Sequence, residues 1–180
     1  MRNLMLESLI RGVLTEAPPG PDGIALKEVG EALARTTRRK LGRSLSIREV
    51  DAGSCNGCEL EIHALNNAFY DIERFGLHFV ASPRHADVLL VTGPVTANMR
   101  IALERTFRAT PDPKWVVAVG DCGFDGGCFA GSYACIGGVS AVFPVDLHIK
   151  GCPPRPIDLL KGLLALIDLQ DDSLLRRRMG

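Results

Sequence analysis

The feature that most constrains this chain is an alternation that begins at Ser44. Short β-rich runs at 44–50, 77–81, 88–92, 115–120 and 141–147 are separated by helical stretches. The clearest helical stretch is 59–75. It sets Leu60, Ala64, Leu65, Ala68, Phe69 and Ile72 on one face and ends at Gly76, a C-cap residue. A second helix is expected to start near Thr96 and a third to cover 157–169. Strands alternating with helices predict an α/β layer structure with a mostly parallel sheet, doubly wound, helices flanking both faces.

Ahead of this region the text differs. Leu4, Met5, Leu9, Ile10, Val13 and Leu14 recur at helical spacing, and Pro18, Pro19 and Pro21 then break the chain. A weaker helical pattern over 24–42 ends in Arg38, Arg39 and Lys40. The expected organisation is an N-terminal helical extension over 1–43, one α/β domain over 44–170, and a tail over 171–180. The extension is either a surface helix with a solvated charge run or a docking element for a partner.

In an open parallel sheet, ligands gather beyond the carboxyl ends of the strands. Cys55 and Cys58 follow the first β-run in Gly53-Ser-Cys-Asn-Gly-Cys. Cys122 follows the run at 115–120, and Cys152 follows the run at 141–147 in Gly151-Cys-Pro-Pro. Three separate strand ends thus bring cysteine to one edge. Spacing alone does not choose four ligands from six cysteines; placement at strand ends does. Cys128 and Cys135 lie along a glycine-rich loop, and could be alternative ligands, a second site or small buried thiols, the last being favoured.

Four thiolates suit either zinc or an iron–sulfur cluster. Zinc sites commonly use two tight pairs, whereas here one pair is joined by two isolated cysteines, which favours a bulky cluster. A Cys-x-x-Cys dithiol remains a further alternative. Glycines at 53, 57, 93, 120, 123 and 151 flank these positions and let the backbone come close to sulfur. The helix after Cys58 also turns its positive end toward them. Glu59 and Glu61 open that helix, either as first-turn acids complementing the dipole or as proton-handling groups. His85 and Arg84 read as structural or interfacial residues.

Composition narrows the surroundings. Basic and acidic residues balance at 21 each, so nothing marks a nucleic-acid binder. The richest apolar run, 159–167, is short and interrupted by Lys161, far below the roughly 20 apolar residues of a spanning helix. No secretory pattern follows Arg2, so the cysteines are expected in a reducing compartment, where they hold metal rather than disulfides.

Four segments carry a family resemblance. These are Gly53-Ser-Cys-Asn-Gly-Cys-Glu-Leu-Glu-Ile, Ser82-Pro-Arg-His-Ala-Asp-Val-Leu-Leu-Val-Thr-Gly, Val119-Gly-Asp-Cys-Gly and Gly151-Cys-Pro-Pro-Arg-Pro. Together they resemble the small subunits of membrane-bound NiFe hydrogenases, of the formate hydrogenlyase, hydrogenase-4 and carbon-monoxide-induced type. The 20 kDa subunit of complex I belongs to the same superfamily. The resemblance covers about residues 46–167 and implies a flavodoxin-like domain with one 4Fe-4S cluster on Cys55, Cys58, Cys122 and Cys152.

It also implies an electron-transfer subunit of an oxidoreductase, with no complete active site of its own. Its partners would be a large subunit, a ferredoxin-like 4Fe-4S subunit and membrane-arm subunits, with attachment at the cytoplasmic face of the membrane. The complex I relatives have an adjacent Cys-Cys pair, whereas here Cys55 lies three residues before Cys58. This shifts the expectation toward hydrogenase and leaves quinone reduction as the alternative.

Overall fold

The computed structural model describes residues 22–169. The expected helix over 1–16, the proline-rich break and the tail from 171 onward lie outside them. The chain opens with α1 (Asp22–Leu41), β1 (Leu45–Asp51) and the short helix α2 (Gly57–Ala64). There follow β2 (Leu77–Phe79), β3 (Val88–Thr92), β4 (Val95–Thr96), α3 (Arg100–Ala109) and β5 (Trp115–Val119). The remaining elements are α4 (Gly120–Asp125), β6 (Cys135–Gly137), β7 (Leu147–Ile149) and α5 (Pro156–Leu169).

Five strands form one sheet in the order β2-β1-β3-β5-β7, and every neighbouring pair is parallel. Taken in chain order within that sheet, this is the flavodoxin-like arrangement, with its switch point between β1 and β3. A small antiparallel ribbon, β4 with β6, stands apart from it and was not foreseen in the sequence.

Both faces of the sheet are covered, which is why β3 and β5 read as unbroken apolar runs with every residue buried. On one face, Leu33 of α1, Ile62 of α2 and Leu159, Leu160 and Leu163 of α5 share a core with Ile47, Leu90 and Val117. On the other, Leu103 of α3, Val139 and Phe143 pack on Val50, Leu89, Val91 and Val116. The described part of the N-terminal extension is therefore built into the body of the chain. Leu33 is fully buried, and the Lys40 ammonium donates to the Ile167 and Asp168 carbonyls at 2.9 and 2.8 Å, capping the end of α5.

Three sequence expectations need correction. The helix expected over 59–75 stops at Ala64. Leu65, Asn66 and Asn67 donate to carbonyls only three residues back, and the Asn67 side chain accepts the N–H groups of Phe69 and Tyr70 at 2.9 and 3.0 Å. An asparagine that bonds the backbone ahead of it offers the chain a turn in place of another helical turn. A 3₁₀ turn at Ile72–Phe75 follows, and Gly76 caps that turn at φ 79°.

The strand expected over 141–147 is Leu147–Ile149. Ala141 belongs to a 3₁₀ turn, and Phe143 is buried in the second core, stacked on Phe107 with ring centroids 4.6 Å apart. The apolar character there came from core packing in a loop, not from a strand. The Asp146 carboxylate accepts the Val116 N–H at 2.7 Å and sets where pairing with β5 begins. Lastly, Thr96 lies in β4, and its helix starts at Arg100.

Candidate functional site

Because β1, β5 and β7 are parallel, their carboxyl ends share one edge of the sheet. Cys55 and Cys58 come four and seven residues after β1, and Cys122 and Cys152 come three residues after β5 and β7. The structure brings the four together: Cys122, Cys55 and Cys152 all act electrostatically on the Cys58 thiol. Cys58 and Cys122 are buried, whereas Cys55 and Cys152 are exposed.

Local hydrogen bonds shape each loop. The Asp51 carboxylate accepts the N–H groups of Gly53 and Ser54, both at 2.7 Å, folding the chain sharply as β1 ends. The Ser54 hydroxyl then accepts the Asn56 N–H at 3.1 Å. Asp121 joins the other two loops: its N–H donates to the Gly151 carbonyl at 3.0 Å, and its carboxylate accepts the Gly151 N–H at 2.9 Å. Cys122 and Cys152 each stand next to this clasp.

The sulfurs lie against bare backbone. A Cβ on Gly120 would stand 2.7 Å from the Cys58 Sγ, and one on Gly127 would stand 2.8 Å from the Cys122 Sγ. Both glycines have positive φ, 81° and 50°. Only glycine combines that conformation with such closeness to sulfur.

Burial pushes the Cys58 thiol up to about 12, with Glu59 and then the neighbouring cysteines adding to it. Burial likewise pushes Cys122 up to about 11, with Cys128 the next contributor. Without a cation these two groups are thiols at neutral pH, and a bound cation would displace their protons.

Cys128 departs from its expected role. It is exposed rather than buried, and it lies close enough to Cys122 to perturb that thiol. The turn through Gly126 (φ 99°) and Gly127 folds the chain back to bring it there. Cys135 is half-buried on β6. The signal for Cys128 in the sequence was the Gly126-Gly127 pair, which permits a reversal within six residues of Cys122. Among the described residues no group of three or more histidine, cysteine or acidic side chains is drawn tightly enough to hold a single metal ion.

Three other residues singled out in the sequence take clear positions. Glu59 is buried at 7% exposure, and neither carboxylate oxygen has a hydrogen-bond partner among the described residues. Arg84 and His85 are exposed on the turn before β3, at the amino ends of the strands, opposite the cysteine edge. A residue that sequence reasoning missed is Glu49, whose Oε1 is buried without a partner among the described residues, on the α1, α2 and α5 face of β1. Its signal was an acid in the alternating series Leu45, Ile47, Glu49, whose first two members face the core.

No helix among the described residues is long and apolar enough to cross a membrane. The family model described as NADH ubiquinone oxidoreductase, 20 Kd subunit, matches residues 55–166. Over 142 residues the chain is 44% identical to formate hydrogenlyase subunit 7 of Escherichia coli, covering 79% of this chain and 56% of that protein. The chain thus spans little more than half of that relative. Over 128 residues it is 44% identical to the probable membrane-bound hydrogenase subunit mbhJ of Pyrococcus furiosus, covering 71% of this chain and 77% of that one. A chain in the solved structure of the membrane-bound sulfane sulfur reductase, an archaeal respiratory membrane complex, superposes with a TM-score of 0.63 at 32% identity. That match covers 82% of this chain and 88% of the other.

Proposed function

Since the chain belongs to the family of the 20 kDa subunit of NADH ubiquinone oxidoreductase, we propose that it is the electron-relaying small subunit of a membrane-associated NiFe hydrogenase complex. In this reading Cys55, Cys58, Cys122 and Cys152 hold one 4Fe-4S cluster. The observation that carries it is the convergence of these thiols from three parallel strand ends, with the backbone of Gly120 and Gly127 set against two of the sulfurs.

The residues fit such a group. Four thiols supply the full ligand set, and the glycine cradle leaves space that any side chain would fill. One pair joined by two isolated cysteines favours a cluster over zinc, whose sites commonly use two tight pairs. Bound there, the cluster would supply single-electron transfer between a metal centre in a large subunit and a ferredoxin-like partner.

The chain's own residues do the holding and the tuning. Asp121 ties the Cys122 loop to the Cys152 loop, and Asp51 sets the turn that presents Cys55. The bare backbone of Gly120 and Gly127 lies against the Cys58 and Cys122 sulfurs, where polar backbone groups near sulfur tune an anionic centre. The membrane-bound assemblies named for the relatives support attachment through partner subunits. The family description supports a quinone-linked alternative, but the separated Cys55 and Cys58 point away from it.

The test is anaerobic purification of the native complex with iron, sulfide and zinc analysis and electron paramagnetic resonance. About four irons in this chain and a signal on reduction are expected. Serine at Cys55, Cys58, Cys122 or Cys152 is expected to lower the iron content, and serine at Cys135 to leave it unchanged. Stoichiometric zinc without iron, or redox activity that survives Cys122→Ser and Cys152→Ser, would overturn the reading.

A further inference from the structure

Three arginines from separate segments line one surface cavity of about 350 Å³. Arg38 comes from the end of α1, Arg43 from the loop before β1, and Arg74 from the 3₁₀ turn before β2. The cavity opens at the amino ends of β1 and β2, at the edge of the sheet opposite the cysteines. The Arg38 guanidinium has no hydrogen-bond or ion-pair partner among the described residues. Arg43 uses three of its five N–H donors on Asp87 and the Ser44 carbonyl, which leaves two. Arg74 lies 3.6 Å from Asp71, too long for a hydrogen bond, and both side chains are well exposed. Its guanidinium stands 5.0 Å from the centroid of the Phe75 ring.

Thr37 lines the same cavity. It is 2% exposed, and its hydroxyl is buried without a hydrogen-bond partner among the described residues. Threonine on a helix has two χ1 rotamers open to it, so this hydroxyl can turn toward a ligand oxygen. The cavity thus offers several donors that no acceptor of the chain takes up. Glu73, an exposed acid in the same wall, works against an anion there.

A second hollow of about 530 Å³ shares Ala34, Arg74 and Phe75 with the first and is more apolar. Leu26 and Phe69 line it, with Lys27 and Glu31 on its α1 side. Phe69 is left 54% exposed there. Donors for an anion and a wall for hydrocarbon therefore meet along Arg74 and Phe75. A free anion would use only the donors, and an apolar peptide only the wall. A phosphate joined to a hydrocarbon chain uses both.

We propose that the joined hollows hold an anionic membrane phospholipid, its phosphate among Arg38, Arg43 and Arg74 and one acyl chain over Phe75, Phe69 and Leu26. This rests on the membrane-associated reading above. Guanidinium forks match the oxygens of a phosphate, and basic pockets are a known form of headgroup recognition. The lipid would give this chain a reversible hold of its own on the bilayer surface, beside that of partner subunits.

The experiment is photolabelling of the native complex in its membrane by a phosphatidylglycerol carrying a diazirine in one acyl chain, and by the matched phosphatidylcholine. Labelled positions are read by peptide mass spectrometry. Label within residues 26–34 and 69–75 is expected from the anionic lipid, and several-fold less from the zwitterionic one. Arg38→Gln and Arg74→Gln are each expected to lower it about fivefold, the effect of one basic residue near an anionic surface, and Glu73→Gln to raise it. All three residues are exposed, so the variants are expected to keep an unfolding midpoint near the native one. Should an arginine variant fail to fold, Glu73→Gln reads the same dependence on charge. Equal labelling by the two lipids, or label unchanged by these substitutions, would overturn the proposal alone. So would unlabelled hollows, the result that a polypeptide seated there would give. A complex that does not sediment with membranes would overturn the membrane-associated reading and this proposal with it.

Discussion

Asp121 and Gly151 bond each other twice: the Asp121 N–H to the Gly151 carbonyl at 3.0 Å, and the Gly151 N–H to the Asp121 carboxylate at 2.9 Å. The two residues are 30 positions apart, and each precedes a cysteine of the site. The clasp carries the pairing of β5 with β7, which ends at Val119 and Ile149, on into the two loops. Asp121→Ala is expected to lower stability by about 1–3 kcal/mol, as for a charge-assisted hydrogen bond left with an unpaired donor. It should lower iron content more than it lowers the unfolding midpoint. Iron analysis alongside thermal unfolding checks the order of the two effects.

Gly120 and Gly131 form a matched pair for substitution. Both have positive φ, 81° and 78°, but a Cβ on Gly120 would stand 2.7 Å from the Cys58 Sγ, whereas nothing lies within 4 Å of one on Gly131. Gly131→Ala is expected to cost only the backbone strain, about 1–2 kcal/mol, with iron content unchanged. Gly120→Ala is expected to cost more and to lose the iron. Equal iron in the two variants would remove Gly120 from the cradle.

Asp87 is 1% exposed and anchors the amino ends of the strands. Its carboxylate accepts from the Arg43 guanidinium at 2.8 and 2.7 Å and from the Ser46 N–H at 3.0 Å. Arg43→Ala takes two hydrogen bonds from this buried carboxylate, and because the guanidinium is half-exposed the expected loss is about 1–3 kcal/mol. Chemical denaturation of the variant measures it. Because this pair sits at the edge opposite the cysteines, iron content of the folded fraction should be unaffected.

His148 gives a pH dependence with a definite sign. Burial and then Lys150 hold its pKa below 6.5, its Nδ1 is buried without a partner among the described residues, and its ring meets Phe124 edge-on. Below 6.5 the unfolded chain binds a proton that the folded chain resists. Stability is therefore present above that value and declines as pH falls through it toward the lower folded pKa. The thermal midpoint is expected to fall between pH 7 and pH 5, and His148→Gln to shrink that fall. An unchanged slope in the variant would assign the effect to other groups.

Much of the fold was legible in the sequence because its signals are local. The fully buried strands β3 and β5 announced themselves as apolar runs, and the parallel order follows from helices standing between strands. Cysteine placement at strand ends put the four thiols at one edge, since parallel strands must deliver their carboxyl ends there. Errors arose where composition imitated an element. Ala141 to Val145 is apolar because Phe143 fills the second core, and Leu65, Ala68 and Phe69 keep helical spacing across a turn set by the Asn67 side chain.

What the sequence by itself determined is the sheet, its direction and the edge that gathers Cys55, Cys58, Cys122 and Cys152. Those follow from periodicity and chirality, which act over a few residues or constrain every connection alike. Only the tertiary structure decided what surrounds the sulfurs. The Asp121–Gly151 clasp, Cys128 beside Cys122, and Gly120 against the Cys58 sulfur depend on loops far apart in the chain. Burial then changes their chemistry, raising Cys58 to about 12 where an exposed thiol stands near 9.0. Desolvation belongs to the assembled fold, and no short stretch of sequence carries it.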